Sequence, residues 1–378
     1  KKGCVEYEDM PRRFLEVCRR KSDYLGQLNR NLGRATMNLT WKNRFLESRA
    51  AVMTQFEELA GILEEFSGQM EQALDVTMTW EGELKTALRK RRIDVEGLLV
   101  LQYGQGRREV FMTARMTNGR CMTARDASEA IAKVMKGSFS AARDGKAIIT
   151  RNPASFRFIE DGRYRILFGS SRVPRDGEEV SGDSYTFKSG LPGQAILSLS
   201  DGMGSGQAAS EDSEKVMELT EQLLGTGFSA RSALKLVNTV LLLTGQNDRP
   251  ATLDLCLVDL YSGVAEAMKL GAVASFIMGR DGVEVLESEH VPAGVMNPVE
   301  PVMISKKLWD GDRIVMVSDG ILDAMPGAEK EAAFTDFLAG LPAAGPQETA
   351  EMIMAFALSF DGEPRDDMTV LVGGIYGR

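Results

Sequence analysis

Asp201 stands where an alternating stretch, Leu197-Ser-Leu-Ser200, meets a run of small residues, Gly202-Met-Gly-Ser-Gly206. The alternation predicts a half-buried strand. A carboxylate at the end of such a strand, in a turn without bulk, can reach a hard cation. Gly202 can bring its own carbonyl to the same ion, because no side chain blocks the approach. One such turn is ordinary Asp-Gly turn chemistry. The chain, however, repeats it. Asp183 sits in Val180-Ser-Gly-Asp-Ser184, Asp319 in Val317-Ser-Asp-Gly320, and Asp366 and Asp367 in Arg365-Asp-Asp-Met-Thr369, just before an apolar run. Carboxylates at several strand ends predict one site assembled from distant parts of a sheet system.

The elements that must hold these residues are legible by their period. Residues 164–169 and 186–188 read as strands on either side of Asp183. Helices over 211–224 and 230–243, joined by Gly225-Thr-Gly227, follow the central turn. Residues 252–260 and 264–270 form a predicted hairpin about Tyr261-Ser-Gly263, and 275–278 and 283–286 another about Arg280-Asp-Gly282. A strand over 313–317 leads into Asp319. Helices over 332–338 and 348–360 precede a last strand at 368–375. Hairpins with inserted helix pairs predict an α+β sandwich flanked by helices, not a Rossmann sheet. There is no P-loop and no nucleotide glycine fingerprint.

Upstream, residues 95–103 and 109–113 read as strands joined by Gly104-Gln-Gly106. A helix over 127–135 and strands over 147–150 and 156–160 complete a small α/β module with no catalytic cluster. Before it, residues 12–32 read as a helix. Thr40 reads as the N-cap of a long helix reaching about residue 76. Val52, Phe56, Leu59, Leu63, Phe66, Met70 and Leu74 recur at spacings of four and three. That heptad-like stripe fits either a helix packed on its own domain or a seam between subunits.

The 378 residues carry a formal charge of -9, which argues against nucleic-acid binding. The charge is uneven: residues 1–50 hold twelve Lys or Arg against six Asp or Glu. Arg12, Arg13, Arg19, Arg20 and Lys21 form a basic cluster that suits either a solvated helix face or an anionic membrane surface. The four cysteines, Cys4, Cys18, Cys121 and Cys256, lack zinc-ligand spacing, and His290 is the single histidine. Zinc chemistry is therefore not expected, nor a Ser-His-Asp triad unless His290 serves it. No apolar run reaches the roughly eighteen residues a membrane span needs.

Ser181-Gly-Asp-Ser184, Asp201-Gly-Met-Gly-Ser-Gly206, Ser318-Asp-Gly320 and Asp366-Asp-Met-Thr369 resemble, in this order, the motifs of metal-dependent serine/threonine phosphatases of the protein phosphatase 2C kind. Ala251-Thr-Leu-Asp254 and Pro292-Ala-Gly-Val295 fit the bacterial, sporulation-linked branch. The resemblance covers residues 163–378 most strongly. It implies a protein phosphatase 2C-like β-sandwich of two antiparallel sheets with helix pairs outside, and two Mn²⁺ or Mg²⁺ ions at one edge. By motif, Asp201 would bridge the ions, Asp319 and Asp366 would complete the first, and Asp183 and the Gly202 carbonyl would serve the second. Asp201 and Asp183 are the expected catalytic residues. Two cations on one water would make a nucleophile at neutral pH and neutralise phosphoryl oxygens. Met203 stands where eukaryotic relatives carry a histidine, and Asp367 where many relatives have asparagine.

The resemblance further implies three domains: a helical linker and oligomerisation segment at 1–82, a regulatory module at 83–162 and the phosphatase at 163–378. It implies a phosphorylated anti-sigma-factor antagonist as substrate, self-association, and contact with the tubulin-like division protein. It also implies a place at the cytoplasmic face of the membrane, with spanning segments before this sequence. The helices over 211–224 and 230–243 would couple dimerisation to metal-site assembly. Two other readings compete: a division-septum scaffold with a weak or conditional site, and a metal-dependent hydrolase of another phosphoester.

Overall fold

A computed structural model describes residues 4–378 apart from residues 72, 104–106, 118, 143–144, 190–192, 227, 245–249, 288–291 and 296–300, and apart from the side chains of part of 44–71, of 242–244 and of 361. The chain divides into two compact units, Lys1–Glu57 and Glu58–Arg378.

The first unit holds a short helix α1 (Arg12–Val17) and most of α2 (Lys21–Glu71). Its start is pinned by Asn29, whose side chain accepts from Val5 N (2.8 Å) and donates to Val5 O (2.9 Å). The predicted helix over 12–32 is broken near Cys18 and then runs straight through Thr40. Thr40 is no N-cap: its hydroxyl donates to Thr36 O (3.0 Å) inside the helix. A threonine can satisfy itself on the preceding turn as readily as it caps, so its type alone does not mark a helix start.

The second unit begins with β1 (Leu74–Asp75), α3 (Thr77–Lys90), β2 (Ile93–Gln102), β3 (Arg108–Met116), β4 (Met122–Thr123), α4 (Ala124–Met135), β5 (Phe139–Ala141), β6 (Ile148–Ile149) and β7 (Ala154–Glu160). One sheet runs β1-β2-β3-β7-β5. Leu84 and Leu88 of α3 and Ile131 and Met135 of α4 share a core with Val100, Val110, Met112, Phe156 and Phe158. Leu74, expected to end the helical stripe, pairs with Gln102 in this sheet instead. Residue 82 falls within α3, so the expected division there would cut a helix that belongs to this core. We propose that the module starts at β1.

The rest is β8 (Tyr164–Val173), β9 (Asp183–Ser189), β10 (Gln194–Asp201), α5 (Gly206–Gly225), α6 (Ala230–Thr244), β11 (Leu253–Asp259), β12 (Val264–Leu270), β13 (Ser275–Gly279), β14 (Gly282–Leu286), β15 (Met303–Lys307), β16 (Arg313–Val317), α7 (Asp319–Asp323), α8 (Lys330–Ala339), α9 (Pro346–Asp361) and β17 (Met368–Gly377). Two five-stranded sheets form, in the orders β15-β12-β11-β10-β9 and β14-β13-β16-β17-β8. Every pairing in them is antiparallel. Strand alternation sends Leu197, Leu199, Cys256 and Val258 of one sheet against Ile314, Met316, Leu371 and Ile375 of the other. The opposite faces take helices. Val216, Leu234 and Val237 cover Ile196, Leu253 and Leu255. Phe334 and Ile353 cover Phe276, Val315 and Val370.

Candidate metal centre

Strands β9 and β10 pair in a register that sets Asp183 directly opposite Asp201. Two carboxylates facing one another across a strand pair repel, and burial deprives them of water. Asp183 is wholly buried, and neither of its carboxylate oxygens has a hydrogen-bond partner. Burial pushes its pKa up, and Asp367 and Asp319 add to the rise. The hydroxyl dipoles of Thr369 and Ser318 pull the other way but do not offset it. Asp201 is raised by burial first, then by Asp183, Asp319 and Asp366.

Asp319 and Asp366 come from the second sheet. Asp319 opens α7 directly after β16, and burial followed by Asp366 raises its pKa. Asp366 precedes β17, and its Oδ1 accepts from Asp367 N (2.9 Å). Ser318 stitches these two loops: its N–H donates to Thr369 O (3.0 Å), and its Oγ accepts from Thr369 N (2.8 Å). The four expected aspartates thus face one end of the sandwich, two from each sheet. Arg172 donates to the backbone carbonyl of Asp183 (3.1 Å) and not to its carboxylate. Among the described residues no three or more acidic, histidine or cysteine side chains close into a ready cation cage.

The turn after Asp201 is built for close approach. A Cβ on Gly202 would lie 2.1 Å from Ala209 O, so any side chain there would force α5 away. Gly204 and Gly206 take φ of 105° and 74°, a region glycine enters freely. Asp201 N donates to Thr252 Oγ1 (2.9 Å), and Thr252 N donates to Asp201 O (2.9 Å), fixing the strand end. Ser213 of α5 donates to Gly182 O (2.6 Å), tying that helix beside Asp183.

Asp367 has a different job. Its Oδ1 accepts from Arg175 N (2.9 Å) and its Oδ2 from Gly182 N (2.8 Å). Each oxygen braces a loop, so Asp367 acts as a clamp between them. Met203 is half exposed in the central turn. His290 lies outside the described residues. Sequence reasoning assigns no role to Thr252, Ser213, Asp254 or Lys269, although Thr252 and Asp254 lie within a motif that resembles the bacterial branch.

The sequence pattern of stage II sporulation protein E matches residues 192–375, and that of its regulatory domain matches residues 1–135. The chain belongs to the stage II sporulation protein E family. It is 24% identical over 365 residues to stage II sporulation protein E of Bacillus subtilis, and 25% identical over 379 residues to that of Priestia megaterium. Those matches take in 96% and 97% of this chain but 44% and 63% of the two relatives. A solved structure of the PP2C phosphatase domain and a fragment of the regulatory domain of SpoIIE from Bacillus subtilis superposes with a TM-score of 0.60 at 25% identity. It covers 90% of this chain and 99% of its own. The fold of this family member is therefore the expected α+β, protein phosphatase 2C-like sandwich. No described helix is long and apolar enough to cross a membrane.

Proposed function

We propose that this chain is a metal-dependent protein-serine phosphatase. The observation that carries the reading is the cross-strand pair Asp183–Asp201, with Asp183 wholly buried and both its oxygens unsatisfied, and with Asp319 and Asp366 facing the pair from the second sheet. A core tolerates such a concentration of carboxylate only if something neutralises it. An all-oxygen donor set suits Mg²⁺ or Mn²⁺ better than zinc or copper. Asp201 would lie between two ions, Asp319 and Asp366 would serve one, and Asp183 and the Gly202 carbonyl the other. Bound there, the ions would supply charge neutralisation for a phosphoryl group and an activated water. The chain's own residues do the positioning. The β9–β10 register holds Asp183 and Asp201 face to face, Thr252 fixes the end of β10, and Ser318 holds the loops of Asp319 and Asp366 together.

Family membership supports a phosphorylated anti-sigma-factor antagonist as the substrate and self-association as the control. It also supports the tubulin-like division protein and a membrane surface as partners of the longer protein. The test is phosphate release from a phosphoserine protein of that class, with and without Mn²⁺. Turnover that needs Mn²⁺ and disappears in Asp201→Asn is the expected result. Equal release with and without the ion would overturn the reading.

A further inference from the structure

Lys269 is 1% exposed, in the apolar layer between the two sheets. Its cross-strand neighbour on β11 is Asp254, equally buried, and the two form an ion pair. Burying both charges costs more than an apolar pair of the same volume would, so the pair is poorly explained as a source of stability. Its connections suggest another use. Lys269 Nζ has three donors, and all three are engaged: Asp254 Oδ2, Ser275 Oγ (2.7 Å) and Val273 O (2.8 Å). The Ser275 hydroxyl in turn donates to Asp254 Oδ2. Asp254 and Lys269 belong to the first sheet, whereas Ser275 opens β13 of the second. The cluster is therefore a polar link across the sandwich.

The link sits at the end where the aspartates meet. Asp254 is opposite Leu199, two residues before Asp201, and follows Thr252 by two. Val273 lines a small cavity of about 20 Å³ together with Asp201, Thr252, Ser318 and Asp319. Asp183 and Asp201 come from one sheet, whereas Asp319 follows β16 and Asp366 precedes β17 of the other, so their separation depends on the gap between sheets at this edge. We propose that Lys269, with Asp254 and Ser275, is a positioning group that fixes this gap and so sets how Asp201 and Asp319 share a cation. The inference rests on the phosphatase reading above.

Three proteins test it: wild type, Ser275→Ala, and Asp254→Leu with Lys269→Met. The readouts are Mn²⁺ affinity by calorimetry, the thermal midpoint, and kcat and KM on a phosphoserine protein. The double variant removes both charges together, so it should melt close to wild type. It should nevertheless bind Mn²⁺ about tenfold more weakly, as expected when the support of a ligand is lost. Its kcat should fall while KM for the phosphoprotein stays put. Ser275→Ala keeps the ion pair and cuts only the cross-sheet link, and should lose about threefold or more in Mn²⁺ affinity. If the double variant does not fold, Ser275→Ala decides alone. Mn²⁺ affinity within twofold of wild type in a folded variant would overturn the proposal. Wild type that neither binds Mn²⁺ nor releases phosphate would instead sink the phosphatase reading beneath it.

Discussion

Asp183 and Asp201 are held by the fold in a pairing that each would avoid in water. Burial, with Asp367 and Asp319 nearby, pushes Asp183 up to about 7, and burial with Asp183, Asp319 and Asp366 pushes Asp201 up to about 9, whereas an unfolded aspartate titrates near its ordinary value of about 4. The folded protein freed of divalent ions therefore holds protons that the unfolded chain releases. The stability these two carboxylates contribute is fully present below about pH 4 and is lost as pH rises through 7 toward 9. Urea midpoints in EDTA should accordingly fall between about pH 5 and about pH 8.5. Saturating Mn²⁺ should flatten the trend, because it favours the ionised carboxylates. Asp201→Asn should flatten it without metal. A midpoint in EDTA that is level with pH would refute the assignment. The same substitution should abolish Mn²⁺-dependent turnover by several powers of ten, since a shared ligand is lost from the ion pair. Asp319→Asn and Asp366→Asn should follow it, each checked by initial rates at saturating substrate.

At the scale of elements, α5 is anchored to the site from both sides. Gly202 backs onto the Ala209 carbonyl, and Ser213 holds Gly182 O. Gly202→Ala sets a methyl against backbone, and no rotamer can relieve it. It should destabilise by roughly 1–3 kcal/mol, as overpacking does. It should also weaken Mn²⁺ binding as α5 shifts. A melt and a binding isotherm both matching wild type would reject that view of the turn. This turn was legible in the sequence because its signal is local: an aspartate, then small residues, then a helix. The hairpins at 253–270 and 275–286 were legible for the same reason, from period two and a glycine turn. What the sequence hid was long-range. Asp367 has no legible role beside Asp366 until its partners, Gly182 N and Arg175 N, are seen 185 and 192 residues away. Asp254 and Lys269 look like ordinary outward polar residues of a hairpin, yet both point inward. Strand β15 was missed because it is a half-exposed edge strand with two lysines, which lack the apolar alternation of a core strand. Helix α3 was missed because its apolar residues Trp80, Leu84 and Leu88 make only a narrow stripe next to a much longer pattern.

At the scale of the whole molecule, the question is what α2 does with its apolar surface. Trp41, Phe45, Val52 and Phe56 recur at spacings of four and seven, and all four are exposed, Phe45 by 71%. Large aromatic side chains in a row on one helix seldom stay in water unless a partner covers them. The seven-residue spacing is that of a helix seam. A second copy of the chain supplies the same stripe, so the contact can be self-complementary. Joined through α2, two copies would be held at a high local concentration. Control of the site follows only if α5 and α6 have two arrangements and the dimer favours the one that gathers the carboxylates. Phe45→Asp with Phe56→Asp places charge in the seam and leaves Asp183, Asp201, Asp319 and Asp366 untouched. Light scattering should show the variant as a monomer at concentrations where wild type is a dimer. Its Mn²⁺-dependent turnover per chain should be low at every dilution, whereas wild type should lose turnover only as it dissociates. Turnover per chain that stays constant in wild type while its mass falls from dimer to monomer would separate self-association from control, and would leave α2 as a tether.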